Sequence, residues 1–149
     1  EGGYNRTGSR SPMQWDDSTN AGFSSAPASD LYIAMDPDKD RPTAKKEMAA
    51  PDSLYHEVKK LIRIRQSHKA LQSRGKITFV YAEKNTYPLA YIREDGDEKI
   101  LVIINAAAEA KTFACDAEPK EAIYNFGAAA EAKNGKITVP AQSAGFYRI

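Results

Sequence analysis

The amino-acid sequence predicts a mainly β protein: a C-terminal antiparallel β-sandwich preceded by one amphipathic helix and an irregular N-terminal segment. Three observations predict this fold class. Short apolar runs follow one another after residue 75 with turn residues between them, a single helical apolar stripe precedes them, and residues 1 to about 50 are rich in Gly, Ser, Asn, Asp and Pro. Closely spaced short strands without intervening helices are typical of an antiparallel sandwich.

Seven strands are predicted, each a run of β-branched, aromatic or aliphatic residues bounded by turn residues. They cover residues 77–81, 89–93, 100–105, 111–115, 122–126, 136–139 and 145–149. Residues 100–105 are apolar almost throughout, which is typical of a strand buried on both faces. Asn134-Gly135 favours a tight hairpin turn directly before residues 136–139.

The single predicted helix begins after Pro51 and ends near His68. Its apolar residues recur at the three- and four-residue spacing of one helix face, and such a stripe has to pack against another layer. The stripe consists of Leu54, Val58, Leu61 and Ile62, continued by Arg65. Residues 1 to about 50 offer no obvious layer to cover it.

Composition excludes several classes of function. Apolar residues make up 42% of the chain and charged residues 28%, as in an ordinary globular protein, and the net charge is +1. Because no long block of one charge occurs, the sequence predicts neither a nucleic-acid partner nor a membrane partner. No apolar run approaches the roughly 20 residues that span a bilayer. The sequence does not indicate a cellular compartment.

No metal and no cofactor are predicted. The one cysteine, Cys115, excludes an intrachain disulfide and a cysteine-based zinc site, and its neighbours indicate a buried structural thiol. The two histidines, His56 and His68, lack cysteine partners and, apart from an adjacent glutamate, acidic partners at ligand spacing. Residues 36–47 imitate a calcium loop, but Arg41 stands where such loops need glycine, so a solvated turn is the better interpretation.

Two segments of the chain resemble one enzyme family. Residues 10–16 read RSPMQWD and residues 20–24 read NAGFS, which is similar to the R-T-P-M-Q-W-D and N-A-G-F-S segments of the α-amylase superfamily of glycoside hydrolases. Residues 61–65 read LIRIR and are followed by Ala70-Leu71, which resembles the last barrel helix of that family. One small departure is Ser11, where threonine is commoner in the family.

The resemblance implies how the chain is organised. In this family the matching segment follows the last strand of a (β/α)8 barrel, and the polypeptide ends in an antiparallel β-sandwich called domain C. Residues 1–72 are therefore expected to be the end of the catalytic barrel, with the loop after strand eight and the last helix, and residues 73–149 to be domain C. The rest of the barrel is expected upstream of Glu1 as an intramolecular partner. The sandwich is expected to cap the barrel and bury the helix stripe.

The resemblance also implies a parent enzyme that hydrolyses or transfers at α-glucosidic bonds of starch-derived oligosaccharides. Retaining glycosidases use two carboxyl groups about 5–5.5 Å apart, which members of the family carry in barrel motifs. Neither His56 nor His68 is followed by aspartate, so the Asn-His-Asp motif is absent, and the G-x-R-x-D nucleophile motif is absent too. The chain is therefore predicted to be a non-catalytic part of that enzyme, with no glycosidase activity of its own.

Candidate substrate-binding residues lie in the loop that resembles the one after strand eight, since such loops line the active-site face of a barrel. The resemblance implies that an α-glucan or maltooligosaccharide is contacted in the parent enzyme by Arg6, Arg10, Gln14 and Trp15. Arg10 would donate to sugar hydroxyls, and Trp15 would offer a ring face. The alternative is structural: Trp15 packs the loop on the barrel, and Arg10 pairs with Asp16.

Two other functions stay open at this point. In the first, the chain is a free-standing glycan-binding or interaction module built on the sandwich. In the second, the parent enzyme is an isomerase that resembles trehalose synthase, in which the same opening motif occurs. Without a barrel, the exposed stripe of the helix favours self-association of the chain.

Overall fold

A computed structural model of the chain describes residues 10–149. The chain divides into two compact units, Glu1–Leu61 and Ile62–Ile149. In its described part the first unit consists of turns and short helical segments, whereas the second is built mainly of antiparallel strands. The mainly β fold class is confirmed, since a sandwich follows one long helix and an irregular segment. The domain boundary between residues 72 and 73 stays a prediction.

The first unit is made of short elements. They are 3-10 turns at Thr19–Gly22 and Ala28–Asp30, helix α1 (Ala44–Ala49) and the beginning of helix α2 (Leu54–Ser67). Helix α1 is absent from the sequence prediction, because six residues are too few to show a helical apolar period. It begins after Thr43, whose buried hydroxyl accepts the Lys46 N–H at 3.2 Å. A cap of this kind satisfies one of the free N–H groups of the first helical turn.

Helix α2 covers the residues that the apolar period predicts and ends one residue before His68. Its stripe is largely open to solvent: Leu54 is 73% exposed, Val58 46% and Ile62 52%. The expectation that the sandwich buries this stripe is therefore wrong for Ile62, which belongs to the same unit as the sandwich. The apolar cover of the sandwich comes instead from residues that follow the helix.

The second unit contains eight strands. They are β1 (Lys76–Tyr81), β2 (Leu89–Asp95), β3 (Glu98–Asn105), β4 (Lys111–Ala114), β5 (Glu121–Phe126), β6 (Glu131–Lys133), β7 (Lys136–Val139) and β8 (Ser143–Arg148). All pairs are antiparallel, in a five-stranded sheet of order β1-β2-β3-β8-β5 and a three-stranded sheet of order β4-β7-β6. Seven strands lie within a few residues of the predicted ranges. Strand β6 is the additional one, because its three exposed residues show no apolar alternation.

The core of the second unit lies between its two sheets. Leu101 and Ile103 of β3 belong to one buried cluster with Phe113 of β4 and with Ile137 and Val139 of β7. Because these side chains come from both sheets, the cluster holds the sheets face to face. Fully burying an aliphatic side chain contributes about 1.5–3 kcal/mol, so this cluster is the main source of stability in the unit.

Strand β3 is buried on its other face as well. Ile100 and Val102, which alternate with the core residues, pack against Ala70, and all three are at most 1% exposed. Ala70 lies in the 3-10 turn Lys69–Leu71, directly after helix α2. The prediction that this strand is buried on both faces is confirmed, and the 3-10 turn is what covers the outer face at this point.

Candidate functional site

The loop that carries the predicted substrate-binding residues is tied into the first unit by its backbone. The Trp15 N–H donates to the Ala21 carbonyl at 2.8 Å, and the Trp15 carbonyl accepts the Lys45 N–H at 2.9 Å. The Gln14 carbonyl accepts the Ala44 N–H, also at 2.9 Å. The backbone of Gln14 and Trp15 is thereby held on one side by the first turn of helix α1 and on the other by the segment around Ala21.

The 3-10 turn Thr19–Gly22 contains three consecutive residues with positive φ, and we call it the left-handed turn. The φ angle is 48° at Asn20, 53° at Ala21 and 73° at Gly22. A left-handed conformation costs a residue other than glycine roughly 1–2 kcal/mol, so the contacts of Asn20 and Ala21 have to offset this strain. The Ala21 side chain is 1% exposed, and the Ala21 carbonyl accepts the N–H groups of both Trp15 and Asp16.

The side chain of Asn20 closes the loop that follows the left-handed turn. Its Nδ2 donates to the Ser24 carbonyl at 2.9 Å and to the Ala26 carbonyl at 2.8 Å. Asparagine also enters the left-handed region more readily than most residues. Asn20 therefore contributes to the left-handed backbone of the turn and also holds the next six residues through its side chain.

Gly22 allows the turn to approach the residues around Trp15. A Cβ atom at Gly22 would lie 2.9 Å from Asp16 Oδ1 and 3.2 Å from Trp15 Cβ. The same Asp16 oxygen accepts the Ser18 hydroxyl at 2.5 Å and the Ser18 N–H at 2.8 Å, and these two bonds lower the pKa of Asp16. Among residues 10–149 no ion pair joins Asp16 to Arg10, so the structural alternative for Arg10 is absent there.

The predicted binding residues differ in how they are presented. The Trp15 side chain is 52% exposed, and Arg10 is exposed. Gln14 Oε1 is buried and has no hydrogen-bond partner within residues 10–149. Arg6 lies outside the described residues. An exposed indole offers a ring face and an amide oxygen offers an acceptor, and both are groups that can bind a sugar.

Phe23 is an exposed aromatic residue that the sequence analysis did not select. It follows the left-handed turn directly, its N–H donates to the Asn20 carbonyl at 3.0 Å, and its side chain is 49% exposed. With Met13 and Trp15, the loop presents three large apolar side chains that are about half exposed. The signal available in the sequence was the position of Phe23 within the NAGFS segment.

A second polar cluster, in the second unit, holds the residues after helix α2. Glu98 Oε1 lies 2.6 Å from His68 Nδ1, and Glu98 Oε2 accepts the Ala70 N–H at 2.9 Å. Burial alone would raise the pKa of Glu98, but the Ala70 N–H, His68 and Arg148 together outweigh it and leave the pKa lowered. The sequence analysis found no acidic partner for His68, because Glu98 is 30 residues away. The cluster fastens the turn Lys69–Leu71 to strand β3.

The described part of the chain contains no set of metal ligands, since no three His, Cys, Asp or Glu side chains come together there. In the calcium-like segment, Asp36 Oδ1 accepts the Asp38 N–H at 2.9 Å, and Asp38 Oδ1 accepts the Asp40 N–H at 2.8 Å. These bonds form local turns. Within residues 10–149 there is also no helix of the length and apolar character that a bilayer requires.

Comparison with known proteins assigns relatives to the chain. The family model described as Alpha amylase, catalytic domain, matches residues 2–74. Glucan 1,6-alpha-glucosidase of Streptococcus pneumoniae is 30% identical over 135 residues, which cover 91% of this chain and 24% of the relative. Oligo-1,6-glucosidase of Parageobacillus thermoglucosidasius is 34% identical over 108 residues, which cover 72% of this chain and 18% of the relative. The chain therefore spans only a minor part of these relatives' length.

Solved structures match over nearly the whole chain. Trehalulose synthase of Pseudomonas mesoacidophila has a TM-score of 0.79 at 29% identity, covering 96% of this chain and 26% of that chain. A variant of that synthase in complex with its substrate sucrose has the same TM-score at 30% identity and the same coverage. The structural match extends beyond the range of the family model and includes the sandwich.

Proposed function

Because this chain belongs to the α-amylase superfamily of glycoside hydrolases, we propose that it is the C-terminal part of an enzyme acting on α-glucosidic bonds of starch-derived oligosaccharides. In this proposal the chain binds substrate and completes the fold, while the catalytic carboxylates come from another part of the enzyme. The names of the glucosidase relatives favour α-1,6 bonds as the ones acted on.

One observation carries the proposal. Almost the whole chain aligns with a single part of a glucosidase, 91% of the chain against 24% of the relative. Over that same chain, neither histidine is followed by aspartate and no G-x-R-x-D segment occurs. A double displacement needs two positioned carboxyl groups, so a chain with this relationship and without those motifs is best explained as a supporting part of the enzyme.

The loop around Trp15 is assigned to the substrate side of the enzyme. Trp15 packs its exposed indole against a glucose ring, Arg10 donates to sugar hydroxyls, and Gln14 Oε1 accepts from a hydroxyl. Arg6 is assigned the same role as Arg10 from its place in the sequence. The support for this assignment is the exposure of Trp15 on a hydrogen-bonded backbone and the missing partner of Gln14 Oε1 within residues 10–149.

The remaining parts of the chain are assigned to assembly. Residues 1–72 form the end of the catalytic barrel and residues 73–149 form domain C. The exposed side chains Leu54, Val58 and Ile62 support a contact of helix α2 with the rest of the barrel, because an apolar stripe of this size is costly to leave in water. In the absence of that partner, the same stripe drives self-association.

An isomerase parent is the second candidate, and a specific observation favours it. The structural relatives include a trehalulose synthase at a TM-score of 0.79. In an isomerase of this superfamily a sugar hydroxyl accepts the glucosyl group, whereas in a hydrolase water accepts it. The products therefore distinguish them: an isomerase returns a rearranged disaccharide, and a hydrolase returns free glucose.

A chimeric enzyme tests the proposal. In the oligo-1,6-glucosidase of Parageobacillus thermoglucosidasius, the segment that aligns with this chain is replaced by this chain. We expect the chimera to release glucose from isomaltotriose with kcat/KM within about tenfold of the unmodified relative, and the isolated chain to release none. A folded but inactive chimera contradicts the proposed role, and binding of isomaltotriose by the isolated chain would then favour a free-standing glycan-binding module. Glucose release by the isolated chain contradicts the non-catalytic assignment.

A further inference from the structure

Trp15 combines an exposed side chain with a fixed backbone. Its side chain is 52% exposed, whereas its N–H and its carbonyl are both hydrogen-bonded, to Ala21 and Lys45. Within residues 10–149 no other aromatic ring is in ring contact with the indole. A large apolar side chain that is held in place without being covered meets the main requirement of a binding platform, because the ordering is complete before the ligand arrives.

The left-handed turn is the unusual feature beside this platform. It has the only run of three positive φ angles in residues 10–149. Backbone strain of this kind persists where the surrounding contacts over-determine the conformation, and it occurs preferentially at ligand-binding sites. Here those contacts go to the segment that bears Trp15: the Ala21 carbonyl accepts the N–H of Trp15, and a Cβ at Gly22 would lie only 3.2 Å from Trp15 Cβ.

We propose that the left-handed turn is a positioning element for Trp15, with Asn20 and Gly22 as its positioning residues. The turn holds the segment that bears the indole, so that its exposed face is presented to a glucose ring of an α-glucoside. Asn20 fixes the far side of the turn through its bonds to the Ser24 and Ala26 carbonyls, and Gly22 allows the close approach. The identity of the ligand rests on the proposed function, whereas the positioning of Trp15 rests on the geometry alone.

Fluorescence of the 149-residue chain tests the positioning, since Trp15 is its only tryptophan. The Gly22→Ala substitution places a Cβ against Asp16 and Trp15. We expect it to shift the emission of Trp15 and to raise its quenching by acrylamide. In a titration with isomaltotriose, followed by the same fluorescence, we expect the affinity to fall about fivefold or more, because the pre-organisation of the platform is lost.

Two further variants keep the test decisive. Gly96→Ala is the matched control: Gly96 also has a positive φ, 58°, but a Cβ there would meet nothing within 4 Å. Gly96 lies in the β2–β3 turn, so Gly96→Ala should leave the Trp15 emission and the affinity for isomaltotriose unchanged. Asn20→Gly keeps the left-handed backbone accessible and removes only the two bonds of the amide. Asn20→Gly should raise the acrylamide quenching of Trp15, as is expected for Gly22→Ala. This variant therefore tests the positioning independently if Gly22→Ala folds poorly.

The outcomes separate this inference from the proposed function. If Gly22→Ala and Asn20→Gly both leave quenching and affinity at the wild-type values, the positioning role is overturned. If quenching rises in both variants but the wild-type chain shows no response to isomaltotriose, the glucoside ligand is overturned. In an active chimera, a positioning role predicts that Gly22→Ala raises KM with little change in kcat, and a fall in kcat alone contradicts it. An inactive chimera counts against the proposed function and leaves the fluorescence result to decide the positioning.

Discussion

The two units of this molecule hold their backbones by different means. In the second unit, apolar side chains such as Leu101 and Ile103 are completely buried between two sheets. In residues 10–61, Pro12 and Ala21 are the only apolar side chains that are buried, and the loop around Trp15 is held by backbone bonds and by the side chains of Asn20 and Asp16. Buried apolar area stabilises a fold directly, whereas each hydrogen bond replaces one to water and adds little net free energy. The buried core of the second unit therefore supplies stability, whereas the hydrogen bonds of the first unit fix the geometry of its loop.

The same difference appears in what each unit exposes. In the described part of the first unit, eight large apolar side chains are exposed: Met13, Trp15, Phe23, Tyr32, Met48, Leu54, Tyr55 and Val58. The second unit exposes fewer large apolar side chains and also has a buried core. Contiguous exposed apolar surface is typical of interaction sites, so this difference is consistent with the proposed contact of the first unit with the rest of the barrel.

The largest expected effect is a difference in hydrogen exchange between the units. Amides of Leu101 and Ile103 lie in a central strand and should exchange only on global unfolding, whereas the amides of Trp15 and Ala21 should exchange through local opening. We expect opening free energies several kcal/mol lower in the first unit, since global unfolding of a domain costs about 5–15 kcal/mol. Exchange followed by mass spectrometry or NMR measures this. Equal protection in both units would show that the loop shares the stability of the sandwich.

A matched pair of leucine substitutions sharpens the comparison. Leu101→Ala removes a side chain that is 0% exposed, and Leu54→Ala removes one that is 73% exposed. We expect Leu101→Ala to lower the free energy of unfolding by about 2–5 kcal/mol and Leu54→Ala to change it by less than about 0.5 kcal/mol. Urea denaturation of both variants provides the measurement. A cost for Leu54→Ala as large as that for Leu101→Ala would mean that the helix stripe is covered in solution.

The smallest effect concerns the carboxylate that holds the turn Lys69–Leu71. Glu98→Gln weakens its bonds to His68 and Ala70 and should cost about 1–3 kcal/mol. Glu94→Gln is the control, because Glu94 pairs with Lys99 at the surface, at 3.0 Å, and such pairs contribute about 0–1 kcal/mol. Thermal or urea unfolding at neutral pH compares the two variants. A similar loss in both would show that Glu98 has no special role.

The pH dependence of the same variant follows from the lowered pKa of Glu98. A carboxyl group whose pKa is lower in the folded than in the unfolded state stabilises the fold at pH values above the unfolded-state pKa, and this contribution is lost as the pH falls through the folded-state pKa. The difference in unfolding free energy between wild type and Glu98→Gln should therefore shrink as the pH is lowered from neutral to acid. A difference that stays constant over that range would contradict the prediction.

Elements with a regular apolar pattern could be predicted from the sequence, and elements without one could not. Strand β3 was recognisable because burial on both faces requires a continuous apolar run, and helix α2 because one face is apolar. Strand β6 and helix α1 have no such pattern: β6 is exposed throughout, and α1 depends on the Thr43 cap. In the candidate site, the resemblance of residues 10–24 to a known loop drew attention to Trp15. Phe23 and the left-handed turn became apparent only from the structure.

The sequence by itself determined the fold class, the family and the absence of the catalytic motifs, because periodicity, turn residues and motifs are properties of contiguous residues. Only the tertiary structure decided which distant groups meet and which surfaces stay open. It joins Glu98 to Ala70 across 28 residues, brings Ala21 against Trp15 through a left-handed backbone, and leaves the predicted stripe of helix α2 in solvent. The physical reason is that such contacts depend on how elements pack in space, and the spacing of residues along the chain does not specify which distant residues meet.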